Sequence, residues 1–514
     1  MIRHSSNTSE SWKKLPWKKF RKNLFRLQKR IYKAVRVGDK RKVMSLQKLV
    51  LKSTSAKLMA IRQVTQLNAG KKTAGIDGKK ALNYSERFKL LKLLKNPRWN
   101  HQGLRKIPIF KKDGSKRWLS IPTISDRAWQ CLAKFALEPA HEATFHANSF
   151  GFRTGRSAHD AQKLLFDNLK SNAKGHQKTV IELDISKCFD RISHKAIMDR
   201  LIAPKNLKLG IFRCLKAGNN PYFPEQGTHQ GGVVSPLLAN IVLNDIDFEI
   251  NDNTPYKCIR YADDMVIILP VKDSNKEKAE SIIRSTSKFL DKYGLEVSKK
   301  KTKITYVSTG FNFLGWHFKT QSNGKFRSTP SKENYEKFRK KVKAIVNNSN
   351  YGAKVKAQKL APIVRGWRNY HKYCKMNGAR NSLWFMSHRA YKVFNKETKQ
   401  DKHSCEKLIN KAFPAVSYSE NRHIKVKGDK SPYDGDITYW SQRESKLYDG
   451  LTSQMLKKQN HSCGFCGLRF LPGEEIHLHH IDENHKNWKR NNLMAIHRSC
   501  HEYQHMGKAI AKNI

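Results

Sequence analysis

The stretch Tyr261-Ala262-Asp263-Asp264 constrains this chain more than any other segment. It sets two adjacent carboxylates in a short polar break. Arg260 leads in, and the apolar run Met265-Val266-Ile267-Ile268-Leu269 leads out. That pattern predicts strand, tight turn, strand, with the aspartates held at the turn. Neighbouring carboxylates at a rigid turn repel one another unless a divalent cation neutralises them, and an all-oxygen site suits Mg²⁺. Two such ions ~3.5–4 Å apart form a general device for nucleotidyl transfer. A lone Asp-Asp pair would read as an ordinary solvated hairpin. Ile181-Glu182-Leu183-Asp184-Ile185 changes that reading, because its alternation is that of a half-buried strand and Asp184 sits near its end. One aspartate ending a strand, with two more at a hairpin of the same sheet, gives three carboxylates for two cations.

The formal charge is +59 over 514 residues, and the basic residues run along the whole length. Such an excess is an electrostatic footprint for a polyanion, and its spread fits a broad nucleic-acid surface rather than one basic arm. A membrane partner is not expected, since no apolar run is long enough to span a bilayer. Met1 to Phe20 lacks an apolar signal core, so secretion is not expected either. Lysine outnumbers arginine and asparagine is common, which hints at an AT-rich genome. The expected compartment is the cytoplasm or nucleoid of a bacterium, or a plastid or mitochondrion.

Of nine cysteines, Cys131, Cys188, Cys214, Cys258, Cys374 and Cys405 are scattered and read as small buried thiols. Cys463-Gly464-Phe465-Cys466 differs. It is a C-x-x-C knuckle answered by His497-Arg498-Ser499-Cys500. Three thiolates and an imidazole complete a closed tetrahedral Zn²⁺ site. A disulfide is the other reading, and the odd thiol count with a nearby histidine argues against it.

The run Asp184-Ile185-Ser186-Lys187-Cys188-Phe189-Asp190-Arg191-Ile192-Ser193-His194, together with Tyr261 to Asp264, resembles two core blocks of the reverse transcriptases encoded by group II introns. Other blocks follow in the expected order. Asn68 to Gly70, Thr73 to Gly75 and Asp77-Gly78 resemble the amino-end block, and Arg105 to Arg127 resembles the fingers. Ser149 to Arg153 and Gly227 to Gly232 with Ser235 to Asn240 match the next two. Lys301 to Ile304 and Phe313 to Gly315 close the palm. Leu360 to Trp367 with Asn369-Tyr370 resembles the thumb, or maturase domain. By this resemblance Asp184, Asp263 and Asp264 seat two Mg²⁺ ions. Phe189 excludes a ribose 2′-OH, and Gln230 contacts the incoming nucleotide. Lys111, Arg117 and Lys301 bind triphosphate oxygens, Arg117 through a planar two-point grip. Two departures, His229 and Thr154 where proline is common, leave loop rigidity open but remove no reactive group.

At the carboxyl end, His477-Leu478-His479-His480-Ile481-Asp482, Asn491-Asn492-Leu493 and the His501/His505 pair resemble the HNH nucleases. Their chemistry needs a free imidazole to take a proton from water and one cation to stabilise the phosphate. The resemblance implies that His479, His501 and His505 hold a divalent cation, again Mg²⁺. It makes His480 the general base, and Asn492 holds that histidine or its loop. The other reading is that these histidines only extend a zinc ribbon. His477 and His485 stay unassigned and are expected in solvated positions.

The expected fold is an α+β multidomain chain: right-hand polymerase fingers and palm, an α-helical thumb (maturase domain X) and a C-terminal ββα-metal HNH nuclease. Expected boundaries are 1–70 for a basic helical extension, 71–325 for fingers and palm, 326–427 for the thumb, 428–455 for a DNA-binding segment or linker, and 456–514 for the nuclease. The implied function is that of a group II intron reverse transcriptase, maturase and DNA endonuclease. It would bind its intron RNA, promote splicing, nick target DNA and copy the intron from dNTPs by target-primed reverse transcription, the route called retrohoming. A homodimer is left open. Two alternatives stand beside it: an RNA-binding maturase whose catalytic sites are little used, and a host-adapted reverse transcriptase.

Overall fold

The computed structural model describes residues 8–110, 114, 116–218, 224–398, 402–448, 450–470, 474–485, 487–498, 500, 501 and 504. Lys111 and His505 lie outside the described residues.

The chain begins with helices. In Trp17–Arg36, Leu24 and Ile31 are buried, with Leu27 and Val35 packed beside them, while the lysines and arginines occupy the outer face. This is an amphipathic stripe seeking a core. It finds one against Lys40–Lys52, Thr54–Arg62 and the long helix Ile124–Glu142. Trp12, Leu24, Ile31 and Val50 belong to the same hydrophobic cluster as Ile181, Leu183 and Met265. The basic stretch from Trp12 to Arg62 is therefore built into the body of the protein.

An antiparallel ribbon of β1 (Arg105–Phe110) and β2 (Lys116–Ile121) follows. The central sheet is built on β3 (Thr179–Ser186). β4 (Lys257–Tyr261) and β5 (Asp264–Ile268) form a hairpin, and β5 pairs antiparallel with β3. β6 (Glu296–Val297) and β7 (Lys303–Tyr306) also pair with β3. Along β3, Leu183 and Ile185 are buried while Glu182, Asp184 and Ser186 are half-exposed. This two-residue alternation sets Asp184 on the open side of the sheet.

β8 (Phe311–Phe313), β9 (Trp316–Thr320) and β10 (Phe326–Pro330) make a second, three-stranded sheet. Its aromatics share a core with Phe150, Val180 and Val266. The thumb helices begin at Lys332: Lys332–Val346, Ala353–Tyr370, Asn377–Thr398 and Lys402–Ala412, around Phe338, Val342, Leu360 and Phe394. Phe326–Pro330 belongs to the sheet before them.

The turn-rich stretch after the thumb is clamped to the palm. Asp160, wholly buried, accepts hydrogen bonds from Ser157 N (2.7 Å), Val426 N (2.8 Å) and Arg443 Nη2 (2.9 Å), and pairs with His423 at 3.2 Å. Burial opposes its ionisation. The His423 hydrogen bond and the Arg443 charge outweigh that and hold its carboxyl well below the usual range. Arg156 also donates to Gly428 O at 2.7 Å.

Beyond helices Ile437–Leu447 and Gly450–Lys458, β11 (Ile476–His480) and β12 (Leu493–His497) form an antiparallel hairpin over a small core of Met455, Leu456, Phe470, Leu493 and Ile496. The helix Gly450–Lys458 packs on β12 and spans the boundary expected at 455/456. No helix among the described residues is long and apolar enough to cross a membrane. The six scattered cysteines are buried free thiols.

Candidate polymerase and metal sites

Tyr261 pairs with Asp264, so Ala262 and Asp263 form a two-residue turn. Ala262 has φ of 60°, a conformation that costs a residue bearing a Cβ and persists only where its surroundings enforce it. Arg260 enforces it. Fully buried, it grips Asp247 through Nε (2.9 and 3.0 Å) and Nη2 (2.7 Å), and donates from Nη1 to Ala262 O at 2.9 Å. Gly151 passes so close below the turn that an added Cβ would stand 2.3 Å from Ala262 N. In the sequence Arg260 stands only as the residue leading into the turn. Its Nη2 also donates to Ser149 Oγ at 2.8 Å, and Asp247 and Ser149 lie 13 and 111 positions away, so no neighbouring residue reveals the role.

Asp184 is the register partner of Asp264 across β3 and β5. Directly opposed residues in antiparallel strands stand with Cβ atoms about 4.5–5.5 Å apart, so with Asp263 in the adjoining turn the three carboxylates gather at one end of the sheet. Desolvation first, then Asp263 and Asp184, push the Asp264 carboxyl up to about 6, although its side chain remains open to solvent. Asp263 is raised too, chiefly by desolvation. Lys301 Nζ donates to both Asp184 oxygens, at 3.1 and 3.0 Å. An all-oxygen set whose members resist ionising together is one that divalent cations fit.

A linked prediction concerns pH. The folded-state Asp264 carboxyl lies above its ordinary 3.8. Metal-free protein is thus expected to lose stability as pH climbs from about 4 to about 6, where the unfolded chain ionises more freely. Mg²⁺ needs the ionised carboxylates. The rise in melting temperature that it gives should be present above about pH 6 and fade as pH falls through that value. Equal Mg²⁺-dependent shifts at about pH 5 and about pH 8 would refute the site.

Beside the aspartates is a cleft of about 590 Å³ lined by Arg117, Phe189, Gln230, Asp263 and Lys301, together with Lys106, Lys116, Trp118, Lys187 and Asp190. The first five are those expected from the sequence; the others are brought to the cleft by the fold. Arg117 Nε donates to Gln230 Oε1, and Gln230 Nε2 donates to Asp190 Oδ1 at 3.2 Å, a chain that ties ribbon to palm. Ser120 N donates to Gln230 O at 2.9 Å. Gly231 has φ of 127°, and a Cβ there would stand 2.9 Å from Ser120 O. Phe189 is half-buried, edge-on to Phe152 at 6.4 Å. Both departures from the family pattern are hydrogen-bonded into the core: His229 Nε2 to Cys214 O at 2.6 Å, and Thr154 Oγ1 to Glu138 at 2.9 Å.

At the carboxyl end, ligand atoms of Cys463, Cys466, His497 and Cys500 all lie within 4.8 Å of one another. His497 turns Nδ1 toward Cys466 Sγ (3.4 Å) and Cys500 Sγ (3.7 Å). Its Nε2 meets Arg21 at 2.7 Å and Glu474 at 3.3 Å. Arg21 and Glu474 also form an ion pair, so the first long helix supports this cluster from outside. A carboxylate on the far nitrogen of a metal-binding histidine is the usual outer support, and three thiolates with one imidazole fit zinc. Local sequence could not show that Arg21, over four hundred positions away, takes part.

His479 and His480 are successive strand residues and so face opposite ways. His479 and His501 rings lie 5.5 Å apart, and His477, unassigned from sequence, lies 5.2 Å from His501. His480 is packed by Trp488 and His485, and its Nε2 is buried with no hydrogen-bond partner among the described residues. His485 itself is exposed. Asn492 holds the loop: its Nδ2 donates to Asp482 (2.7 Å) and Asn487 O (2.9 Å), and its Oδ1 accepts from Asp482 N (3.0 Å).

Comparison with known proteins covers most of the chain. Residues 109–318 match the reverse transcriptase (RNA-dependent DNA polymerase) family, 12–94 the N-terminal domain of reverse transcriptase, and 335–411 the group II intron maturase-specific domain. Maturase-like protein 1 of Euglena gracilis is 40% identical over 420 residues, covering 79% of this chain and 89% of its own. The protein of the same name from Euglena longa is 37% identical, covering 78% and 86%. The group II intron-encoded protein LtrA of Lactococcus lactis subsp. cremoris is 29% identical, covering 50% and 54%. The chain belongs to the group II intron reverse transcriptase and maturase family. The last of the three matched segments ends at residue 411, so the hairpin at the carboxyl end rests on its own geometry.

Proposed function

We propose that the protein is an RNA-directed DNA polymerase and splicing maturase that also nicks DNA, and that it moves its intron by retrohoming. The gathering of Asp184, Asp263 and Asp264 beside the Arg117 and Gln230 cleft, in a chain that also carries a maturase domain, supports this reading best. Divalent cations bound to the three carboxylates would activate the primer 3′-oxygen and steady the leaving pyrophosphate. Arg117 and Lys301 would take triphosphate oxygens, Lys301 leaving Asp184 once the cations neutralise it. Lys111 would join them. Gln230 would orient the incoming dNTP, and Phe189 would stand against its sugar edge. In the terminal domain His480 would take the proton from water, with a divalent cation held by His479, His501 and His505. Asn492 would fix the loop, and zinc on the cysteine-rich cluster would hold the fold. Segment 428–455 would carry target DNA toward that site.

A second reading, a maturase that makes little use of polymerase or nuclease, is favoured by the two Euglena relatives' being maturase-like proteins by name. Primer extension on an RNA template with Mg²⁺ and dNTPs tests the choice. Extension supports the first reading; none, with intron splicing still promoted, supports the second.

RNA binding gives a separate expected result. The intron RNA should bind tightly through the basic amino end and thumb. Counterion release should weaken that binding ~10³-fold or more between about 50 and 200 mM salt. The cognate intron should still outcompete an unrelated structured RNA of equal length. Equal affinity for both at physiological salt would reduce the basic surface to a general polyanion binder and remove the maturase reading.

A further inference from the structure

The loop between β11 and β12 leaves two large apolar side chains open beside His480. Trp488 is 54% exposed and Ile481 55%. The backbone that carries them is held firmly. Ile481 N donates to Asn492 O at 2.8 Å. Asn487 gives its Nδ2 to Asp482 at 2.7 Å and its carbonyl oxygen to Asn492 Nδ2 at 2.9 Å. The Asp482–Asn487 bond closes the loop, and Ile481 and Trp488 stand just outside it. Lys489 and Arg490 come next and are exposed. A second observation concerns His480 itself. It is 6% exposed, and its Nε2 is buried with no hydrogen-bond partner among the described residues. The Trp488 ring stands edge-on to it at 4.8 Å, and the His485 ring at 5.2 Å. A general base must come within ~2.6–3.2 Å of the group whose proton it takes. With Nε2 buried, His480 meets no solvent water until a covering ring shifts.

We infer that Trp488 is a wedge that enters the base stack of the target DNA at the nicking point, and that its entry uncovers His480. The inference rests on the nuclease reading and extends it to how the duplex is engaged. Apolar side chains pushed between base steps unstack them and bend the duplex. Leaving His480 for a base exchanges one ring face for another, so the indole stays out of water. Ile481 supplies further apolar surface from the same closed loop. Lys489 and Arg490 neutralise the phosphates beside the opened step. Nicking is thereby tied to a bound duplex, because the base is freed only when Trp488 has a stack to enter. Flexible pyrimidine–purine steps are the easiest for it to open.

The test uses the full-length protein bound to its intron RNA, with DNA spanning the joined flanks of that intron. The DNA is either fully paired or carries a short bubble at the nick. Trp488→Ala should nick paired DNA at least about tenfold more slowly than the parent. The bubble should bring the variant to within about twofold of the parent, since an unpaired step needs no wedge. Trp488→Leu should keep most of the paired-DNA rate, and zinc content and protease resistance should match the parent in both variants. 2-Aminopurine placed at the steps around the joined site, without Mg²⁺, should brighten with the parent and not with Trp488→Ala. Paired-DNA nicking at the parent rate in Trp488→Ala, or an equal loss on paired and bubbled DNA, overturns the wedge. Failure of the parent to nick either DNA counts against the nuclease reading and leaves the fluorescence comparison to judge the wedge.

Discussion

Primer extension is expected to fall by about 10³-fold or more when Asp263 and Asp264 are both replaced by alanine. The effect is this large because the two side chains have no other described duty. Arg260, Asp247 and Gly151 hold the turn without them, so the hairpin should persist. What disappears is the negative charge opposite Asp184 that would seat divalent cations. Removing mutual repulsion should leave the double variant as stable as the parent or slightly more so, because both carboxyls resist ionisation where they stand. Circular dichroism and intron RNA binding check the fold while extension is measured. A variant that extends as fast as the parent places the chemistry elsewhere.

The second large effect separates the two clusters of the terminal domain. Cys466→Ala should unfold that domain, since structural zinc supplies on the order of 10 kcal/mol to so small a fold. Its core, seven buried residues among those described, is too slight to replace that contribution. His480→Ala should leave zinc content and protease resistance unchanged and abolish nicking of the second DNA strand. Neither change should slow extension of a ready-made primer, because β3 to β5 lie in a separate core. Zinc content, limited proteolysis and DNA nicking are measured on both variants. A folded, nicking-competent Cys466→Ala lacking zinc, or an unfolded His480→Ala, would show that the two roles are reversed.

The local patterns around Asp184 and Asp264 were sufficient to bring Asp184, Asp263 and Asp264 to one end of one sheet. Strand alternation around Asp184 and the apolar run after Asp264 are local patterns, and pairing in one sheet follows once both are strands. The cysteine knuckles were legible for the same reason: metal ligands at short spacing leave few geometries. The amino-terminal helix was legible as a helix, since its apolar stripe repeats at helical spacing, but not as part of the main core. Burial of that stripe against Ile124–Glu142 depends on partners about a hundred residues away. Three contacts were decided only by tertiary structure. Arg260 holds the strained Ala262 turn through Asp247, Arg21 pairs with Glu474 beside His497 across most of the chain, and Asp160 fastens residues 423–443 to the palm. Each is a buried or half-buried charge whose partner is distant in sequence. Periodicity and spacing record what a residue does to its neighbours along the chain, whereas desolvated charges are stable only where folding has brought their counter-charges to them.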